Sequence, residues 1–153
     1  MAFTIFPYQS VGAVRFGMTP DQTETIVGKP ERVKRSRFSA ESTLFFCDGN
    51  LQLTFDEKTL ALRSMTLYPG IKGLYLGELN LFEPDSALVI NALTKADTQI
   101  RYRAGFTYFF TFGIAVKGFR GDEDDEDDRS VDVFDKTYWD IGEANFLMKP
   151  PLK

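Results

Sequence analysis

Histidine is missing from this chain of 153 residues, and cysteine occurs once, as Cys47. The first absence excludes histidine-based catalytic triads, HExxH zinc sites and histidine–carboxylate iron sites. The second excludes an internal disulfide and a thiolate zinc cluster built within one chain. Any chemistry must come from carboxylates, Lys, Arg, Tyr, Ser or Thr. Long apolar runs are missing too, since none approaches the roughly 20 residues needed to cross a bilayer. The start, MAFTIFPYQSVGAV, has neither a basic opening nor an apolar stretch of signal length. Together these absences predict a soluble cytoplasmic protein with no membrane contact and no cofactor. Nor does GIKGLYLG (70–77) match a Walker loop or a dinucleotide fingerprint, despite its glycines.

What is present is aromatic. Fifteen Phe, 6 Tyr and 1 Trp accompany an ordinary 43% hydrophobic and 26% charged content, enough for a sizeable core. The net charge of −4 has a local origin. Seven consecutive acids, Asp122, Glu123, Asp124, Asp125, Glu126, Asp127 and Asp128, hold it. Without them, 15 acids face 18 bases.

Patterning places a short helix at 19–28. Thr19 is the candidate N-cap, Pro20 suits the first helical position, Asp21 complements the positive helix end, and Gly28 and Pro30 stop it. Asp48-Gly49 between apolar runs signals a hairpin, and Leu51, Leu53 and Phe55 alternate with Gln52 and Thr54 as a half-buried strand. LALRSMTLY reads as a further strand. The pattern then restarts. Residues 73–82 are strand-like, Pro84-Asp85 opens a second helix, and strands follow at about 99–104, 106–111, 113–119 and 130–134. Sliding the chain by 64 residues matches ten identical pairs over 20–55 and 84–119, among them Phe45/Phe109, Phe46/Phe110 and Gly49/Gly113. Composition alone gives about two or three. The expectation is an α+β protein of two similar units in one continuous layer. Each would be a short helix packed on a three- to four-stranded antiparallel sheet, with the units at 1–72 and 73–153. The acidic run would then lie at a hairpin tip of the second unit.

The stretch VGAVRFGMTPDQTETIVGKP carries Gly17, Met18, Thr19, Gly28 and Pro30 in a pattern that resembles the BamE/SmpA-like family, and LFF followed by LQLTFDEKTLALRSM resembles that family's aromatic strand and Phe-Asp hairpin. Two such units in tandem resemble the beta-lactamase-inhibitor-protein fold. The resemblance covers about residues 12–68 well and the second unit poorly. It implies a fold that binds other proteins through a sheet face and exposed loops. Small cytoplasmic proteins of this kind are also similar to immunity proteins of bacterial toxin systems. The lipid-bearing cysteine and secretion signals of the outer-membrane and secreted relatives are not in this sequence.

Three features could carry function. The acidic run does not fit a calcium loop, because EF-hand spacing from Asp122 needs Gly and Glu where Asp127 and Val133 stand. It suits either a steering surface for a basic partner or a solvated, self-repelling loop that guards a sheet edge. The basic cluster Arg32, Lys34, Arg35 and Arg37 lacks the aromatic platforms of a nucleic-acid site beyond Phe38. Asp132, Asp135, Tyr138, Trp139 and Asp140 crowd the second unit's end. They could serve as core, as interface anchors or in acid–base chemistry. Cys47 reads as a small packed side chain.

These residues favour a non-enzymatic, protein-binding module, in its specific form an immunity-type inhibitor of a basic toxin or effector. Residues 122–128 with Tyr138 and Trp139 would contact that basic protein partner. The alternatives are a divalent-metal-dependent carboxylate enzyme and a structural or regulatory module.

Overall fold

The computed structural model describes residues 3–119 and 128–139. The chain opens with three short strands, β1 (Phe3–Phe6), β2 (Ser10–Val11) and β3 (Val14–Arg15). Helix α1 (Pro20–Val27) follows. Thr19 caps it as the sequence predicts, and Gln22 completes a capping box. Thr19 Oγ1 accepts the Gln22 N–H at 3.3 Å, and Gln22 Oε1 accepts the Thr19 N–H at 3.0 Å. Gly28 ends the helix at φ 91°, a conformation that a side chain would strain.

Strands β4 (Arg32–Arg35), β5 (Glu41–Phe46), β6 (Leu51–Asp56) and β7 (Leu62–Leu67) form an antiparallel meander. At the β5–β6 turn Cys47, Asp48 and Gly49 all have positive φ. Their backbone forms a small anion cradle, in which the Glu31 carboxylate accepts the N–H groups of Asp48 at 2.9 Å and Gly49 at 3.2 Å. Strand alternation breaks at this turn. Cys47 is therefore exposed, not the packed side chain that its aromatic neighbours suggested.

Next come β8 (Leu74–Leu76), β9 (Leu79–Asn80) and helix α2 (Ser86–Ala96), capped by Asp85, whose Oδ1 accepts the Ala87 N–H at 2.9 Å. A second meander comprises β10 (Ile100–Arg103), β11 (Phe106–Phe109), β12 (Ile114–Lys117) and β13 (Ser130–Phe134).

These strands make two sheets. One has the order β3-β2-β1-β8-β9, with β1 and β8 parallel. The other runs β10-β11-β12-β13-β7-β6-β5-β4, antiparallel throughout, with the meanders joined by β13 against β7. This overturns the expectation of two similar helix-plus-sheet units. The eight-stranded sheet is shared across the 72/73 boundary. The five-stranded sheet draws on both halves and has no place in either proposed unit. The ungapped match of the two halves is also out of step at the level of faces. Phe45 is buried but not part of the main core cluster, with the Arg32 guanidinium 4.1 Å from its ring centre, whereas its match Phe109 belongs to that cluster. Phe46 is in that core, whereas Phe110 belongs to an aromatic cluster apart from it. Side chains alternate with a period of two, so a one-residue slip turns matched residues to opposite faces.

The main core lies between the two sheets and α2. Leu51, Leu53 and Phe55, with Met65, Val131 and Ile114, project from the inner face of the large sheet. They meet Phe3, Ile5 and Leu74 of the small sheet and Val89, Ile90 and Leu93 of α2. Burial of each such side chain contributes about 1.5–3 kcal/mol. No helix among the described residues is long and apolar enough to cross a membrane.

Candidate functional site

The outer face of the eight-stranded sheet is where unusual chemistry collects. Two cross-strand rows run over its centre. Pairing aligns Gln52 with Thr66, Thr66 with Asp132, Asp132 with Ala115 and Ala115 with Tyr108. Beside it, Thr43 faces Thr54, Thr54 faces Ser64 and Ser64 faces Phe134. The middle of both rows is therefore built of short side chains. Thr43 and Thr54 share a hydrogen bond of 3.0 Å. Small residues on a sheet face leave a depression that larger neighbours wall in, and Ala115 between Asp132 and Tyr108 leaves the most room. The result is a cavity of about 320 Å³.

Part of its wall, Tyr138 and Trp139, comes from the chain after β13. The segment 135–139 folds back over the sheet through a turn in which Asp135 Oδ1 accepts the Thr137 N–H at 3.0 Å. Arg63 of β7 clamps that turn. Its Nη2 donates to the Thr137 carbonyl at 2.8 Å, its Nε lies 3.7 Å from Asp135 Oδ2, and its guanidinium stands 5.3 Å from the Tyr138 ring centre. Tyr138 and Trp139 are thereby laid against Phe134 and Tyr108. Trp139 meets Tyr108 edge-on at 5.4 Å and 87°, and meets Tyr138 at 5.7 Å and 71°. Such T-shaped contacts exceed simple area burial by about 0.5–1.5 kcal/mol each.

Asp132 stands in this aromatic enclosure. Its Oδ1 accepts the Thr66 hydroxyl at 2.6 Å. Among the described residues no side-chain cation lies within 4.0 Å of it. Burial pushes its carboxyl up to about 6, and the Thr66 hydrogen bond and the more distant Lys117 charge only partly oppose this. The phenols around it are raised as well. Tyr108 and Tyr68 are raised by burial and then by the Asp132 charge, and Tyr138 by burial and then by Glu41. They remain neutral hydroxyls near pH 7. The cavity thus combines two carboxyl groups, Asp132 and Glu41, a band of hydroxyls and five aromatic side chains, Phe106, Tyr108, Phe134, Tyr138 and Trp139. Chemically it can hold a cation, accept hydrogen bonds, or exchange a proton near neutral pH.

Of the residues singled out from sequence, the structure brings together Asp132, Tyr138 and Trp139. Tyr138 and Trp139 are neither fully core nor free, being partly buried against the outer cluster of Tyr108, Phe110, Ala115 and Phe134. Asp135 points away into the Arg63 clamp. Asp140 and Asp122 through Asp127 lie outside the described residues. Asp128 is exposed just before β13, and its carbonyl lies 2.9 Å from where a Cβ on Gly118 would sit, so Gly118 and Asp128 are close. Arg129, next to it, is buried. Its Nη1 donates to the Phe82 carbonyl at 2.9 Å, and its guanidinium lies over the Phe82 and Phe119 rings. Among the described residues no group of three Asp, Glu, Cys or His side chains could hold a metal ion.

Two other concavities are formed by described residues. A cleft of about 560 Å³ between β1, the β8–β9 turn and α2 is lined by Ile5, Phe6, Leu76, Leu79, Leu93 and Phe112. A groove of about 470 Å³ at the β4 edge is lined by Lys34, Arg35, Arg37 and Phe38 with Phe45. Neither encloses a buried ionisable group.

Sequence reasoning missed Thr43, Thr54, Ser64, Thr66, Tyr108 and Ala115. The available signal was the run of Thr and Ser at the wet positions of alternating strands, but it becomes a site only once six strands, β5, β6, β7, β13, β12 and β11, align. Comparison with protein families, with curated proteins and with solved structures gives no match for this chain.

Proposed function

We propose that this protein is a non-enzymatic binding module that engages another protein with the outer face of its eight-stranded sheet. The observation that carries the reading is the pair Tyr138 and Trp139, held half-buried by Arg63 at the rim of a cavity containing a carboxyl group. Rigid, partly exposed aromatics beside a pocket are the usual anchors of protein interfaces. The acidic residues 122–128 connect the paired strands β12 and β13, two of the strands that form this face. They favour a basic partner and would speed its association at low salt. In its more specific form the module is an immunity-type inhibitor that masks the working surface of a basic toxin or effector in the cytoplasm. That form rests on the acidic run and on the sequence resemblance.

The test compares three chains: the native one, one with residues 122–128 replaced by Ser and Gly, and one carrying Tyr138→Ala and Trp139→Ala. Each is used to capture partners at low and at high salt. The expected result is a basic protein retained by the native chain, bound more slowly by the neutral-loop chain and lost by the double variant. Equal retention by all three would remove the face and the loop from recognition.

One observation favours a second reading. A carboxyl titrating near 6 beside Tyr108 and Tyr138 could act as a general acid or base. That enzyme would turn over a small substrate, and Asp132→Asn would abolish turnover.

A further inference from the structure

The geometry points to the cavity over Asp132 as the seat of one basic side chain, a lysine or an arginine, supplied by the protein partner. This rests on the reading of the outer sheet face as a binding surface, and it names the chemistry that surface recognises.

The argument starts with an imbalance. Asp132 has a single hydrogen-bond partner, Thr66, and no cation within 4.0 Å among the described residues. Only Oδ1 is bonded to Thr66, and Asp132 itself lines the cavity, so its carboxylate is within reach of a group that enters there. A carboxylate in that position gains from a donor that arrives with positive charge. The surroundings suit a cation and little else that is charged. The rings of Phe106, Tyr108, Phe134 and Trp139 line the space, and aromatic faces attract ammonium and guanidinium groups. The hydroxyls of Thr43, Thr54 and Ser64 offer acceptors for the remaining N–H groups. A volume of about 320 Å³ is at the small end for ligand pockets, which suits one side chain better than a large molecule. The acids 122–128 favour the same sign of partner.

Among the described residues the groups that bear on Asp132 are few. Glu41 of β5 lines the same cavity and adds negative charge. Lys117 of β12 acts from a distance and favours the carboxylate, while its Nζ lies 5.3 Å from the Phe106 ring centre. Tyr68, Tyr108 and Tyr138 are neutral at pH 7. Among the described residues an incoming cation would therefore meet one competitor, Lys117, and bind the ionised form of Asp132.

Trp139 is the sole tryptophan and lines the cavity, so its fluorescence reports occupancy directly. The probes are Nα-acetyl-arginine amide, Nα-acetyl-lysine amide and the neutral isostere Nα-acetyl-citrulline amide, titrated into the full chain. The expected result is a saturable change with both cations, at least about tenfold weaker for citrulline, as loss of a charge-assisted hydrogen bond requires. Affinity should fall several-fold between pH 7.5 and pH 5, and Asp132→Asn should weaken both cations about tenfold. Lys117→Gln, which leaves the cavity walls in place, should tighten them. Equal binding of citrulline, or cation binding indifferent to Asp132→Asn and to Lys117→Gln, would overturn the proposal. If the cations fail to bind while the Tyr138/Trp139 double variant still loses its protein partner, the cavity assignment falls and the sheet-face reading stands. If they bind while partner capture ignores that double variant, the partner origin of the cation is refuted.

Discussion

Asp132→Asn should make this protein more stable at neutral pH, although it removes a hydrogen-bonded carboxylate. The folded state holds the Asp132 carboxyl at about 6 against an ordinary value of 3.8. A raised acid favours the folded state fully below pH ~4 and loses that advantage as pH rises through about 6. Above that, ionisation costs the fold about 1.4 kcal/mol for each unit of the difference, or about 3 kcal/mol in all. The side chain keeps some contact with the open cavity, so about 2 kcal/mol is the better figure. Asparagine carries no charge and its carbonyl can still accept from the Thr66 hydroxyl. Urea unfolding at pH 7.5 should therefore show a gain of about 2 kcal/mol, a rise of roughly 4–8 °C in Tm for a domain of this size. The gain should shrink to nothing by pH 4. A variant less stable than the native chain at pH 7.5 would refute the reasoning, because it would mean that the fold already compensates the carboxylate. A group that the fold tolerates at a cost is a reasonable place to look for function.

Other perturbations follow from the same geometry. Arg63→Ala should release the 135–139 turn, shift Trp139 emission to the red and cost about 1 kcal/mol, read by fluorescence and urea unfolding together. Ala115→Leu should fill the cavity floor, costing about 1–3 kcal/mol by overpacking and abolishing the Trp139 response to arginine amide while circular dichroism stays native. Thr19→Ala removes the N-cap of α1 and should cost about 1 kcal/mol in thermal unfolding, with no effect on the Trp139 signal. Leu53→Ala, in the middle of the main core, should cost about 2–5 kcal/mol by denaturant unfolding.

Local features were legible because their causes are local. Thr19, Pro20 and Gly28 mark α1 by chemistry that operates within one turn of chain. Asp48-Gly49 marks its hairpin because few residues accept positive φ, and Leu51, Leu53 and Phe55 mark a strand because alternation is a property of the strand itself. The N-terminal strands were not legible. β1 is only four residues long, its local pairing with β2 covers two residue pairs, and its longer pairing is with a parallel partner at Leu74–Leu76, far along the chain. The ungapped register of the repeat misled for a related reason. Identity at Phe45 and Phe109 says nothing about which face each ring takes, and pairing register decides that.

The candidate site divides in the same way. From sequence alone came the absence of histidine chemistry, the single tryptophan, the local acidic charge, and the crowding of Asp132, Tyr138 and Trp139 near one end. Only the tertiary structure decided that Asp132 stands beside Thr66 and Ala115, that Arg63 folds the following turn back over the sheet, and that a cavity opens between them. A strand dictates which of its residues share a face. The long-range pairing of β13 with β7 and β12 dictates which faces meet, and no stretch of sequence carries that information by itself.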